Sequence, residues 1–292
     1  MITKTVIPAA GFGTRMLPAA KAVPKELLPI LDRPTIQYVV EEAAAAGIDD
    51  VLLITGKDKR ALEDHFDRNA ELEHRLASGK KSGLLDSINN LVAKVKIHSV
   101  RQGEQKGLGH AVLQARRHVG ENPFLCQLGD AIFSPSLNGN TDLPAQQLVA
   151  AYRELKTPII GLERVPPEKV DRYGIVGGKE ISPGLLNLDT LVEKPSRESA
   201  PSKYAICARY LLTPDIFDCL DKTAPGKGGE IQLTDAIRLL LDRTPIHGVL
   251  LHATRHDIGN PTDWLKTNLL YASRNPELWK QITPLLRDLL AQ

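Results

Sequence analysis

The sequence predicts an α/β fold: a Rossmann-like, mixed but mostly parallel central sheet with helices on both faces and a smaller C-terminal lobe. Three observations carry this expectation. Short apolar runs alternate with stretches of helical spacing through the first half of the chain. A loop of small residues, Ala9 to Thr14, directly follows the first apolar run, and open sheets of this kind bind ligands beyond the carboxyl ends of their strands. No Ser/Gly-rich linker or break in composition separates the two halves, so two lobes sharing one continuous sheet are expected rather than two tethered domains.

Taken in order, Lys4–Ile7 reads as a strand, Thr35–Ala46 as a helix and Asp50–Thr55 as a strand. Lys57–Ala77 combines helical spacing with heavy charge and reads as one or two largely exposed helices. Val95–Val100 is the next strand, Gly109–His118 a helix and Phe124–Leu128 a strand. The second half mixes strands at Ile159–Val165, Tyr173–Val176, Leu188–Val192 and Tyr204–Leu212 with helices at Pro214–Asp221 and Gln232–Arg243. A helical block, Asp263–Ala272 and Pro276–Leu290, closes the chain. Ser134–Thr141 (Ser-Pro-Ser-Leu-Asn-Gly-Asn-Thr) is the most loop-like stretch and is expected to be mobile. There is no internal repeat.

The bulk numbers exclude several classes. A formal net charge of +2 over 292 residues leaves no broad basic footprint for nucleic acid, so any phosphate must be met by local cations. Cys126, Cys207 and Cys219 are widely spaced, without Cys-x-x-Cys or zinc spacing, and read as small buried residues of a reducing compartment. No apolar run is long enough to span a bilayer. The small-residue loop begins almost at the N-terminus, leaving no room for a signal peptide. The expectation is a cytoplasmic protein without membrane or nucleic-acid partners.

Residues 8–29 carry most of the functional information. Small residues from Ala9 to Thr14 let backbone N–H groups approach a ligand, and consecutive N–H groups make an anion-binding concavity. Arg15 adds a planar fork suited to phosphate oxygens, and Lys25 adds a mobile point charge. A dinucleotide fingerprint would need glycine at Met16, and no Gly-Lys-Ser/Thr run of a P-loop exists. The pattern is that of a polyphosphate site.

The string Pro-Ala-Ala-Gly-Phe-Gly-Thr-Arg-Met-Leu-Pro, ending in Pro24-Lys25-Glu26-Leu27-Leu28-Pro29, resembles the signature of the sugar-1-phosphate nucleotidylyltransferases. Its Pro-Lys-Glu-x-Leu-Pro ending is similar to that of the bacterial UTP–glucose-1-phosphate uridylyltransferases. With the later motifs the resemblance runs from residue 3 to about residue 270. It implies one nucleotidyltransferase domain over residues 1–292. About 1–130 would be the nucleotide-binding half, about 131–262 the sugar-phosphate-binding half and about 263–292 the C-terminal helices.

A glutamine offers one acceptor and two donors, enough to read the imide edge of a pyrimidine. The match of Gln102-x4-Gly107-Leu-Gly-His-Ala implies that Gln102 and Gly107 hold uracil, with Ala10 and Gly11 on its other side. Gly13 and Thr14 belong to the nucleotide loop, and Glu26 helps to position the nucleotide. Leu128-Gly129-Asp130 puts a carboxylate after a strand, and hard oxygen ligands suit Mg²⁺. The resemblance assigns Asp130 to that metal, although relatives commonly carry proline where this chain has Gly129. Asp257, in His256-Asp257-Ile258-Gly259, is the candidate second metal contact, against the alternative of a turn-capping role. Tyr173-Gly174-Ile-Val and Val192-Glu193-Lys194-Pro195 match the sugar side: Gly174 for close passage of the hexose, Glu193 for its hydroxyls, Lys194 for the sugar phosphate. Gly228–Ile237 fits the same pattern and reads as mainly architectural.

The implied reaction joins UTP and α-D-glucose 1-phosphate into UDP-glucose and pyrophosphate, with Arg15, Lys25 and Lys194 as catalytic cations and Mg²⁺ as cofactor. dTTP in place of UTP, another hexose 1-phosphate, or a non-catalytic regulatory relative are the alternatives. The resemblance also implies a homodimer or homotetramer.

Overall fold

The computed structural model describes residues 1–79, 82–135 and 141–291. Its strands are β1 (Lys4–Pro8), β2 (Pro29–Ile30), β3 (Arg33–Pro34), β4 (Asp50–Thr55), β5 (Lys96–Arg101), β6 (Phe124–Gln127), β7 (Ala131–Pro135), β8 (Ile159–Arg164), β9 (Gly174–Ser182), β10 (Leu185–Glu193), β11 (Tyr204–Leu212), β12 (His247–Leu250) and β13 (Ala253–Asp257). Nine of these form one sheet in the order β5-β4-β1-β6-β11-β8-β12-β10-β9, so the sheet runs through both halves of the chain. Two short antiparallel pairs, β2–β3 and β7–β13, stand beside it.

The expectation of a mostly parallel sheet holds only for part of it. β5-β4-β1-β6 is parallel throughout, as is the β8–β12 pair. The contacts of β11 with β6, β8 and β9, and of β10 with β9 and β12, are antiparallel. The reason is visible in the connections. The first strands are joined through helices, whereas β9 returns into β10 across Pro183-Gly184, and a two-residue turn can only make antiparallel neighbours.

Successive side chains of a strand face opposite sides, and the core divides accordingly. Val6, Leu52 and Cys126 pack on one face with Val112, Ile216, Leu233 and Ile237. Ile7, Val51 and Leu53 pack on the other with Ile36, Val39 and Val40 of the helix Thr35–Ala45. β1, β4 and β6 are therefore buried on both sides, which accounts for their continuous apolar character. The charged stretch from 57 to 77, expected as one or two helices, is two, Ala61–Asp64 and Ala70–Ser78. The helix expected over 109–118 is also two, Leu108–Leu113 and Arg116–Val119. The helix Pro144–Leu155, whose Pro144 in the first turn is a helix-start signal, and the strands β7, β12 and β13 are additional to those expected. Of the loop expected at 134–141, Ser134 and Pro135 end β7, and 136–140 lie outside the described residues. All three cysteines are buried and free, and no helix among the described residues is long and apolar enough to cross a membrane.

Candidate active site

β1 hands the chain to the small-residue loop at the centre of the sheet edge, where the Ala9 N–H donates to the Ile54 carbonyl (2.9 Å). Gly13 turns the loop with φ +67°, and a Cβ there would lie 3.2 Å from Ala20 Cβ and 3.3 Å from Lys25 Cβ. That close approach brings Lys25 back beneath the loop. A cleft of about 420 Å³ results, lined by Ala10, Gly11, Gly13, Thr14, Lys25, Glu26, Gln102, Gly107 and Asp130. Residues distant in sequence thus converge where the resemblance implies a nucleotide.

Lys25, Asp130 and Glu26 in this cleft are paired. Lys25 Nζ lies 2.5 Å from Asp130 Oδ2. Burial alone would strip the proton from Lys25, but Asp130 and Glu26 outweigh it and the ammonium pKa is raised. Burial likewise opposes the charge on Asp130, yet Lys25 holds its carboxyl below the usual value. Glu26 is almost wholly buried and faces Lys59 Nζ at 2.7 Å, with burial pushing its carboxyl up against the pull of Lys59 and Lys25. Arg15 lies apart from the cleft lining: its guanidinium is largely exposed, 3.9 Å from the Asp257 carboxylate.

Asp130 and Asp257 are brought together by the β7–β13 ladder, which pairs Asp257 with Ala131 and lets the Ile258 N–H donate to the Asp130 carbonyl (2.9 Å). Asp257 Oδ1 also accepts the Gly259 N–H (2.8 Å), so it caps its own turn while its other oxygen faces Arg15. Among the described residues no group of three or more His, Cys, Asp or Glu side chains is arranged to hold a metal by itself. Asp130 beside Lys25 and Asp257 beside Arg15 are donors of the kind that fit Mg²⁺, which takes one or two carboxylates and completes its shell with water and substrate phosphates. Gly129 uses the freedom a proline would lack: its N–H makes a long contact, 3.4 Å, to the Pro8 carbonyl and ties the ends of β6 and β1 together.

Buried Gln102 donates from Nε2 to the Gly107 carbonyl (3.1 Å) and sits 3.0 Å from His110 Nδ1. The sequence pattern alone singles out neither His110 nor Gln105, whose Nε2 reaches the Ala10 carbonyl at 3.4 Å. Both lie inside the Gln-x4-Gly-Leu-Gly-His-Ala segment, so the signal was present but unranked.

A second cleft, of about 640 Å³, is lined by Glu193, Lys194, Glu230, Gln232, Asp235 and Arg238. Glu230 lines both clefts and marks where they adjoin. Adjacent side chains at a strand end normally diverge. Here Lys194 adopts the left-handed conformation, φ +46°, with its N–H donating to the Tyr173 carbonyl (3.0 Å), and Nζ comes within 3.4 Å of Glu193 Oε1. The bend that brings the two side chains together is therefore at Lys194 itself. Gly174 lies behind Glu193, where a Cβ would meet its Oε2 at 3.2 Å. The 228–237 segment does more than pack: the Thr234 hydroxyl donates to Glu193 Oε2 (2.7 Å), and Asp235 has its carboxyl pKa raised by burial and by Glu193.

With this geometry in place, comparison with known proteins is informative. The family profile described as Nucleotidyl transferase matches residues 4–274. The chain belongs to the nucleotidyl transferase family. A relative from Staphylococcus saprophyticus, UTP–glucose-1-phosphate uridylyltransferase 1, is 46% identical over 289 residues, covering 99% of each chain. A UTP-bound UDP-glucose pyrophosphorylase structure from Acinetobacter baumannii superposes with a TM-score of 0.90 at 38% identity, over 99% of this chain and 100% of that one. A UDP-glucose pyrophosphorylase complexed with UDP-glucose gives 0.86 at 39% identity, over 94% and 100%. Within the family, the kinship is thus with enzymes that bind UTP and UDP-glucose.

Proposed function

We infer that this protein is a UTP–glucose-1-phosphate uridylyltransferase, making UDP-glucose and pyrophosphate from UTP and α-D-glucose 1-phosphate. The observation that carries the reading is the pair of adjoining clefts. One holds the phosphate loop with Lys25, Asp130, Gln102 and Gly107; the other holds Glu193 and Lys194; Glu230 stands between them. A sugar-phosphate oxygen attacks the α-phosphorus of UTP in line, the bond to the β-phosphate oxygen breaks, and pyrophosphate leaves with that electron pair. No covalent protein intermediate is needed, so catalysis is positioning plus charge neutralisation.

In this reading Ala10, Gly11, Gln102 and Gly107 receive the uracil, and Gly13 and Thr14 cradle the phosphates. Arg15 and Lys25 offset the charge on the departing pyrophosphate. Glu193, held by Thr234, accepts from glucose hydroxyls across the space left by Gly174, while Lys194 screens the two approaching anions from each other. Glu26, tied to Lys59, supports the loop from below. Mg²⁺ held by Asp130 and Asp257 would supply further neutralisation of the phosphates. Exposed Leu265, Leu269, Leu285 and Leu289 on the last two helices support assembly as a homodimer or homotetramer. The free, buried cysteines support a cytoplasmic setting.

The test is pyrophosphate release by the purified protein with UTP, glucose 1-phosphate and Mg²⁺, with UDP-glucose identified as co-product. Absence of product would overturn the activity. A faster rate with dTTP than with UTP would overturn the base assignment alone.

A further inference from the structure

Arg209 on β11 is completely buried, and it is not an apolar residue. Its guanidinium makes a two-pronged pair with Glu42 of the helix Thr35–Ala45, Nε to Oε1 at 2.9 Å and Nη2 to Oε2 at 2.7 Å. The remaining donors go to backbone. Nη1 reaches the Ala208 carbonyl (3.0 Å), and Nη2 reaches the carbonyl of Ala131, the residue after Asp130 (2.9 Å). The guanidinium also lies 4.5 Å from the centre of the Phe133 ring, on the strand that leaves Asp130.

Ala208 is itself unusual, a non-glycine residue at φ +53° where the β11–β8 register slips between Ile206 and Tyr210. Its carbonyl also accepts the Leu128 N–H (3.2 Å). One guanidinium therefore reaches the carbonyl just after Asp130 and the carbonyl that anchors Leu128 just before Gly129. Glu42 Oε1 additionally accepts the Ala145 N–H (3.0 Å), fastening the clamp to a second helix.

A buried ion pair is weak evidence for stability, because apolar residues of similar volume often serve the fold as well. What apolar side chains cannot do is hold both the carbonyl that follows a short loop, that of Ala131, and the carbonyl that receives the N–H before it, that of Ala208. We propose that Arg209, oriented by Glu42, is a positioning residue that sets Asp130 for the metal and phosphates. The inference rests on the uridylyltransferase reading and adds a residue pair that lies behind the site and lines neither substrate cleft.

The experiment uses the full chain with Arg209→Lys, Glu42→Gln and the double change Arg209→Met/Glu42→Leu. It reads melting temperature, Mn²⁺ affinity in the presence of UTP by electron paramagnetic resonance, and kcat and KM. Residues that orient metal ligands from behind are typically worth about 10–100-fold in metal affinity or activity. Arg209→Lys and the double variant are expected to bind Mn²⁺ at least about tenfold more weakly and to lose kcat to a similar extent, with KM for UTP nearly unchanged. The double variant is expected to melt close to the parent. A stable double variant with parental Mn²⁺ affinity and kcat would overturn the proposal. So would failure of all three variants to fold, which would make the pair a stability element. Failure of the underlying reading looks different: the unaltered protein itself would make no UDP-glucose.

Discussion

Gly107→Ala tests the base-side architecture with a single methyl group. Gly107 has φ 96° and ψ 176°, a region essentially confined to glycine, at about 1–3 kcal/mol for any other residue. A Cβ there would also lie 2.8 Å from both Glu230 Cβ and the Ile231 carbonyl oxygen, and 3.0 Å from the Ile231 nitrogen. Ile231 cannot easily yield, because its N–H donates to the Lys106 carbonyl (2.7 Å) and its carbonyl accepts the Gly109 N–H (2.8 Å). Overpacking of that kind adds about 1–3 kcal/mol, so the total is about 4 kcal/mol. At about 2 °C per kcal/mol for a chain of this size, the melting temperature should fall by about 8 °C. The Gly107 carbonyl also accepts from Gln102 at 3.1 Å. Moving it forfeits a hydrogen bond worth about 1 kcal/mol and should raise the KM for UTP by about fivefold. Calorimetry and steady-state kinetics at saturating glucose 1-phosphate measure the two effects. Gly103→Ala, in the same loop with nothing within 4 Å of its Cβ, is the matched control and should be near neutral. If the two variants behave alike, the reasoning is wrong.

Lys25→Ala and Arg15→Ala should each lower turnover at saturating UTP by at least about 100-fold, the usual scale for one charge-stabilising group; near-parental kcat in both would remove them from catalysis. Asp130→Asn should abolish the Mg²⁺ response while keeping the fold, as read by circular dichroism beside a metal titration. Glu193→Gln should mainly raise the KM for glucose 1-phosphate, because the amide still accepts one hydrogen bond, whereas Lys194→Ala should mainly lower kcat. Changes confined to the apparent affinity for UTP in both would dislodge the sugar-site assignment. His65 concerns stability alone: burial lowers its pKa from the ordinary 6.5, and its Nε2 sits 3.2 Å from Gln37 Oε1. The unfolded chain therefore binds this proton more tightly, so the contribution is complete above 6.5 and is lost as pH falls towards the lower folded value. Melting temperature should drop less on acidification in His65→Gln than in the parent, and equal slopes would count against the assignment.

The parallel half of the fold was legible because β1, β4 and β6 are buried on both faces and bounded by helical spacing, two signals that reinforce one another, with the exposed edge strand β5 following the same alternation. The antiparallel half was harder. β13, Ala-Thr-Arg-His-Asp, is a polar string whose pairing with β7 is decided by what it packs against, not by its own composition. That ladder is nevertheless what brings Asp257 beside Asp130. The site shows the same division. Residues proposed to meet a ligand through small size or charge, from Ala10 to Lys25, announce themselves in a compact motif. Residues that hold other residues, such as Thr234 behind Glu193 or Arg209 behind Asp130, carry no local signature, because their partners are distant in sequence.

Asp130 shows why a single role per residue is too few. A lysine that must stay cationic beneath a phosphate loop faces a cost from burial, and here it is the carboxylate 2.5 Å away that keeps the ammonium charged. The carboxylate in turn stays ionised because of that ammonium. Each charge maintains the other in its ionised form, the form the proposed phosphate chemistry needs. Losing Asp130 therefore removes the proposed metal ligand and weakens the hold of Lys25 on its proton, while losing Lys25 leaves a partly buried carboxylate whose ionisation is no longer supported. The two substitutions should behave as one unit in a double-variant cycle, with far less than additive losses. Arg15 and Asp257, a looser and more exposed pair at 3.9 Å, lack this mutual dependence, so their losses should come closer to adding.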